Sequence, residues 1–293
     1  MPWTEVSISV AREGVADAER CLEEAGALAV TLEDDADHPV LEPGPGETPL
    51  WPTVHLRGLF EADIDRGGVL VFLKGLANPV RPEHIRWREV GDRDWERAWM
   101  DRFEAMRFGE RLWIVPTGMN PPADPAAVCV RLDPGLAFGT GTHPTTALCL
   151  EWLDHNCVKD LNVVDYGCGS GILGIAAALL GASGVEAVDN DPQALEATAA
   201  NAERNGVTER IRCVAPGDFR AGSAGVVLAN ILAGPLAELA PTIHGCASSG
   251  APIVLSGLLE EQVDGVVAAY RPACRLLETV TRDGWSRVVL EKA

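Results

Sequence analysis

Asp165-Tyr166-Gly167-Cys168-Gly169-Ser170-Gly171 lies between an apolar strand and an apolar helix, and no other stretch restricts the fold of this chain as much. Glycine at alternate positions lets the backbone approach a ligand closely, and the helix that follows aims its N–H groups at an anion. Around this turn, strand-like runs at 162–165, 185–189, 211–214, 225–230 and 252–256 alternate with helical patterns at 172–180, 192–205, 235–243 and 260–270. Strict alternation predicts an α/β domain, a doubly wound parallel sheet with helices on both faces. Two last strands, 276–280 and 285–290, joined by Asp283-Gly284, read as a hairpin.

Open parallel sheets bind ligands beyond the carboxyl ends of their strands, so the strand-to-helix turns are the places to search. In the first turn, Gly167 and Gly169 are candidates for contact with an adenosine-containing cofactor. Gly169-Ser170-Gly171-Ile172-Leu173-Gly174 also matches the dinucleotide pattern G-x-G-x-x-G, which leaves a nicotinamide-dependent oxidoreductase as an alternative. Against it, Gly167 already ends the strand and an acid, Asp165, lies just upstream. Acid, one residue, then Gly-x-Gly-x-Gly resembles the cofactor loop of class I S-adenosylmethionine-dependent methyltransferases. At the second turn, Asp189 ends its strand where a ribose-binding acid belongs, while Asp191, followed by Pro192, reads as a helix N-cap. At the third, Asn230 ends the strand expected beside the reacting centre. The residues after it, Ile231, Leu232 and Ala233, supply no aromatic ring to stack on a planar nitrogen. An aliphatic amine therefore fits better than a nucleobase or a glutamine amide.

Composition limits the partners. The chain has 293 residues, 47% of them apolar, and a formal net charge of -19. An acidic surface argues against direct nucleic-acid binding, which needs clustered Lys and Arg, and favours a basic protein or an amine as substrate. The eight cysteines contain no Cys-x-x-Cys pair, so they read as scattered core thiols and no metal site is expected. The first residues resemble no signal peptide and no run is apolar enough to span a membrane, so a soluble, cytoplasmic protein is expected, with a monomer as its state.

The length suggests more than one domain. Residues 1–91 follow the order strand, helix, strand, strand, helix, strand, that of a small ferredoxin-like α+β unit. Residues 92–108 carry Trp95, Trp99 and Phe103 at helical spacing and read as a linker helix that packs through this face. Residues 109–293 form the cofactor-binding domain. Before its first long strand, 133–146 reads as a loop rich in small residues, expected to act as a lid that orders on cofactor binding; His143 within it reads as structural.

Four motifs, Asp94-Trp95-Glu96-Arg97-Ala98-Trp99-Met100, Phe108-Gly109-Glu110-Arg111-Leu112-Trp113, the 136–146 loop and Asn230-Ile231-Leu232-Ala233-Gly234-Pro235-Leu236, make the chain resemble the ribosomal protein L11 methyltransferase (PrmA) family over nearly its whole length. The resemblance implies a Rossmann-like class I methyltransferase sheet and transfer of methyl groups from S-adenosylmethionine to the N-terminal amine and lysine side chains of one large-subunit ribosomal protein. It assigns recognition of that protein to the N-terminal domain. Carried over by position, its cofactor contacts fall on Thr146, Gly167, Asp189 and Asn230, and Asn230 is the candidate catalytic residue. Two further readings remain at this stage, methylation of another protein or small amine, and a non-catalytic module that holds a ribosomal protein during assembly.

Overall fold

The computed structural model describes residues 3–34, 51–76, 80, 84–91, 105–132, 143–220 and 222–293. The chain divides into two compact units, Met1–Ala98 and Trp99–Ala293. In the first, strands β1 (Trp3–Ala11), β2 (Ala29–Asp34), β3 (Thr53–Glu61) and β4 (Arg86–Val90) form one sheet in the order β2-β3-β1-β4. All neighbours in it are antiparallel. Helices α1 (Val15–Glu24) and α2 (Arg66–Lys74) complete the ferredoxin-like arrangement that the order of elements predicts. Alternation in β1 and β3 sends Val6, Ile8, Leu56 and Phe60 to one face, where they bury with Leu22, Val69 and Leu73. Asp65 caps α2, its carboxylate accepting from the Gly67 N–H.

The second unit begins with a small sheet of β5 (Met106–Phe108), β6 (Leu112–Val115) and β7 (Val128–Arg131). Helix α3 (Pro144–His155) follows. Then come β8 (Asn162–Tyr166), α4 (Ile172–Leu179), β9 (Gly184–Val188), α5 (Pro192–Arg204), β10 (Ile211–Val214) and β11 (Val226–Asn230). Helices α6 (Ala233–Glu238) and α7 (Ala240–Cys246), strand β12 (Pro252–Leu259), helix α8 (Val263–Tyr270) and strands β13 (Cys274–Arg282) and β14 (Trp285–Lys292) complete it. The main sheet runs β10-β9-β8-β11-β12-β14-β13. The first five strands are parallel, and β14 is antiparallel to both neighbours. Val163 and Val226 face one apolar cluster and their neighbours Val164 and Val227 the other. That double burial is why these strands read as continuous apolar runs rather than as alternating ones. In the closing hairpin, Asp283 and Gly284 both take positive φ, 52° and 79°, as a two-residue turn of the type favoured by strand twist requires.

Four expectations need correction. Thr146 does not belong to a loop: Pro144–His155 is a helix, while 133–142, the rest of the expected lid, lie outside the described residues. The helix escaped notice because Ala147, Leu148, Cys149, Leu150, Trp152 and Leu153 are all buried, which leaves no polar face to reveal a helical period. The expected linker helix 92–108 ends instead in strand, since Met106–Phe108 pairs with β6; residues 92–104, with Trp95, Trp99 and Phe103, lie outside the described residues. The single helix expected over 235–243 is two, α6 and α7, divided at Leu239 because Pro241 has no N–H to donate back into α6. Of the cysteines, Cys149, Cys168, Cys246 and Cys274 are buried, whereas Cys157 is exposed, so not all are core thiols. Among the described residues no helix is long and apolar enough to cross a membrane.

Candidate active site at the carboxyl edge of the sheet

Strands β8 and β11 are neighbours, yet the chain leaves β8 towards β9 on one side and β11 towards β12 on the other. The connections that follow them cross to opposite sides, which makes these strand ends the switch point of the sheet, the place where folds of this kind form a ligand crevice. The glycine turn after β8 is anchored to the end of β9, where the Gly167 and Cys168 N–H groups both donate to the Val188 carbonyl, at 2.7 and 3.1 Å. Gly167, Gly169 and Gly171 adopt φ of 77°, 53° and 78°, a region in which any side chain is strained. At Gly167 a Cβ would also stand 2.2 Å from Ile231 Cγ2, so the turns after β8 and β11 touch at this residue.

Asp189, half-buried one residue past β9, faces back onto the glycine turn. Its Oδ2 accepts from the Gly169 N–H at 2.9 Å and its Oδ1 from the Asp191 N–H at 3.0 Å. Each oxygen keeps further acceptor capacity, so the carboxylate is oriented in advance without being used up. Asp191 is the N-cap of α5, accepting from the Gln193 N–H, as the Asp-Pro pair predicts.

Two supports of the turn were not singled out from sequence. Thr198 Oγ1 donates to the Gly169 carbonyl at 3.0 Å and Asn201 Nδ2 to the Ser170 carbonyl at 2.9 Å, both from the buried face of α5. Their signal was present as two polar residues in phase with Ala194 and Ala202 on the apolar stripe of an amphipathic helix.

Asp165 is buried, and its Oδ2 accepts from the Gly174 N–H at 2.8 Å. At Gly174 a Cβ would lie 3.0 Å from Val185 Cγ1 and 3.1 Å from this carboxylate, so helix-to-strand packing accounts for that glycine without a dinucleotide. Burial pushes the Asp165 carboxyl up to about 7; the Gly174 N–H holds it down, and Asp189 nearby raises it. The folded protein thus binds this proton more tightly than the unfolded chain does. The stability contributed by this group is fully present below the unfolded value of 3.8, declines as pH rises from there, and is lost above about 7. Asp165→Asn is expected to flatten that decline in urea titrations between pH 4 and 7, and a decline as steep as in the parent would show that Asp165 is not its source.

On the other side of the crevice, Asn230 Nδ2 donates to Thr146 Oγ1 at 3.1 Å. Thr146 is completely buried in the first turn of α3. Asn230 Oδ1 is buried and has no hydrogen-bond partner among the described residues. A buried acceptor left unsatisfied costs about 1–3 kcal/mol, which a ligand N–H or O–H would recover. The backbone that carries Asn230 is supported from β12, where the register shifts between Ser256 and Leu258 and Gly257 takes φ +90°. A Cβ at Gly257 would stand 2.3 Å from the Ile231 carbonyl oxygen. Gly257→Ala is therefore expected to cost about 3 kcal/mol, combining strain at positive φ with overpacking, and to lower Tm by roughly 6–12 °C. A melting curve superimposable on the parent's would remove this buttress from the account.

His143 is committed to capping α3. Its Nδ1 accepts from the Thr145 N–H at 3.4 Å and lies 2.7 Å from Thr145 Oγ1, and its ring meets Trp285 edge-on at 4.8 Å. Burial lowers its pKa, so the ring is neutral near pH 7. Of the candidate residues, the structure joins Gly169 to Asp189 and Thr146 to Asn230 by hydrogen bonds, and Gly167 packs against Ile231, the neighbour of Asn230. Among the described residues no three His, Cys, Asp or Glu side chains converge in a way that could hold a metal ion.

Comparison with known proteins gives one answer along the chain. The family model described as ribosomal protein L11 methyltransferase (PrmA) matches residues 2–293. A relative named ribosomal protein L11 methyltransferase in Cellvibrio japonicus is 48% identical over 100% of this chain and 99% of its own. One of the same name in Ectopseudomonas mendocina is 51% identical over 98% of each. A crystal structure of a ribosomal protein L11 methylase from Lactobacillus delbrueckii subsp. bulgaricus superposes with a TM-score of 0.59 at 29% identity, covering 65% of this chain and 99% of that one.

Proposed function

We propose, from the premise that this chain belongs to the ribosomal protein L11 methyltransferase (PrmA) family, that it methylates amino groups of ribosomal protein L11, at the N-terminal amine and lysine side chains, with S-adenosylmethionine as donor. The observation that carries the reading is the buried, unpartnered Asn230 Oδ1 across the crevice from the glycine turn. Nothing in the comparisons favours an oxidoreductase, and the chain's one dinucleotide-like feature, Gly174, is explained by packing.

The residues present suit an adenosine cofactor. The side-chain-free turn 167–171 admits a close backbone approach, and Asp189, with spare acceptor capacity on both oxygens, suits a ribose diol. S-adenosylmethionine supplies a methyl carbon on a positive sulfonium, open to direct displacement. The chain's own task is to hold an amine in line with that carbon and to keep it neutral. A lysine amine titrates near 10.4 in water, but a partly dry crevice beside a positive charge disfavours the ammonium. Asn230 Oδ1 would accept one N–H of the neutral amine and so orient its lone pair, while Nδ2, held by Thr146, keeps the amide from rotating. The proton leaves to solvent.

The aliphatic wall after Asn230 suits an alkyl amine. Ile231 is half-buried and Leu232 is 54% exposed, with no ring to stack on a base or amide. The first unit recognises the substrate protein, and a ribosomal substrate implies a cytoplasmic enzyme. Incubation of the purified protein with labelled S-adenosylmethionine and ribosomal proteins is expected to label L11 alone. Label on RNA, or on no protein, would overturn the reading.

A further inference from the structure

Asn230 does not stand alone in its row of the main sheet. In the register of the strands Asn230 of β11 faces Ser256 of β12, and Ser256 faces Arg287 of β14. Residues directly opposed across a sheet share a face, and both ends of this row reach the same helix. Asn230 Nδ2 donates to Thr146 Oγ1 at 3.1 Å, and two residues further along α3 the Leu148 carbonyl accepts from Arg287 Nη1 at 2.9 Å. Ser256 between them is completely buried, and its hydroxyl donates to the Ser286 carbonyl at 3.0 Å, which ties the row to β14.

Arg287 is 6% exposed, an unusual place for a cation. Val289, two residues on and on the same side of β14, joins the apolar cluster that contains Ala147, Cys149 and Leu150 of α3, so packing alone would be served at this position by an aliphatic side chain. The guanidinium instead forks. Its Nη1 takes the acceptor capacity that the helical Leu148 carbonyl has left, and its Nη2 meets Glu278 Oε2 of β13 at 2.5 Å. The same hairpin holds α3 twice more. Trp285 meets the ring of the N-cap residue His143 edge-on at 4.8 Å, and Arg282 Nη1 and Nη2 reach Glu151 Oε1 and Oε2 at 2.9 and 2.8 Å. Helix α3 is thus fixed to β13 and β14 at its cap, at Leu148 and at Glu151, on both sides of Thr146.

We infer that Arg287 is a positioning residue for methyl transfer. It sets how α3 lies on the sheet, and with it the Thr146 hydroxyl that keeps the Asn230 amide from rotating. Its effect passes through α3 and is not exerted on the amine itself. This rests on the reading that Asn230 orients the amine. Holding one helix from both ends of a single row keeps the amide within the narrow geometric tolerance that an in-line displacement demands.

The test uses the full chain carrying Arg287→Lys, which keeps the charge but offers one donor point where the fork bridges two partners. Methyl transfer to L11 is measured for this variant, for Thr146→Val and for the two combined. The expected result for Arg287→Lys is a kcat lowered about five- to ten-fold, with KM for L11 and affinity for S-adenosylmethionine unchanged within about two-fold. The combined variant is expected to be no more than about two-fold slower than Thr146→Val alone, because both changes act on the same amide. Parent kcat in Arg287→Lys, or losses that multiply in the combined variant, would overturn the inference. If melting curves show that Arg287→Lys does not fold, Arg282→Gln decides in its place. That change removes the partly exposed pair with Glu151, and a kcat lowered about three-fold at unchanged KM is expected, whereas the parent kcat overturns the inference. If Asn230→Ala transfers methyl groups at the parent's rate, the reading of the site and this inference fall together. If Asn230→Ala is slow and the Arg287 and Arg282 variants are not, only the inference falls.

Discussion

Asn230→Ala is expected to lower kcat for methyl transfer about 100-fold or more, with cofactor affinity changed less than ten-fold, in single-turnover measurements at saturating substrate. The amide is the one polar side chain at the end of β11, and its Oδ1 is buried without a partner among the described residues. An amine bound there gains a hydrogen bond that also fixes the direction of its lone pair. Removing that group leaves the amine free to rotate and exposed to protonation, so the loss falls on the chemical step. Thr146→Val separates orientation from contact. It takes away the hydroxyl that holds Nδ2 at 3.1 Å while leaving Oδ1 in place, and kcat is expected to drop about ten-fold. Equal single-turnover rates for Asn230→Ala and the parent would rule out any part for this amide in the transfer.

Asp189→Ala has its largest expected effect on binding. A hydrogen bond to a charged group contributes about 1.5–3 kcal/mol, and this carboxylate can receive both hydroxyls of a ribose. It also orders the turn through the Gly169 and Asp191 N–H groups, at 2.9 and 3.0 Å, so its loss loosens the surface proposed to hold the cofactor. S-adenosylmethionine affinity is expected to fall 100- to 1,000-fold, at about 1.4 kcal/mol for each factor of ten, with Tm lowered by only a few degrees because Asp189 is half-buried. Calorimetry giving the parent affinity would take Asp189 out of the site.

Local chemistry announces some parts of this protein and conceals others. The glycine turn, the Asp-Pro cap and the Asp283-Gly284 hairpin were legible because each depends on backbone dihedrals or a missing N–H, properties of a few adjacent residues. Helix α3 was hidden because it is buried nearly all round, so its sequence lacks the polar stripe that marks a helix. The split between α6 and α7 was missed because the run 235–243 kept its apolar spacing across Pro241. Thr198 and Asn201 passed as ordinary helix residues, since only the folded chain shows which polar groups on α5 face the glycine turn.

By itself the sequence determined a doubly wound sheet, a glycine turn after its first strand and an acid and an amide at the ends of two later strands, because strand and helix periods and glycine-dependent turns are encoded within short windows. Only the tertiary structure decided that Thr146 and Asn230, 84 residues apart, share a hydrogen bond, and that Gly257 leaves room for the backbone beside Asn230. Those contacts arise from the crossing of the chain that places β11 between β8 and β12, and long-range pairing of that kind leaves no trace in the order of neighbouring residues.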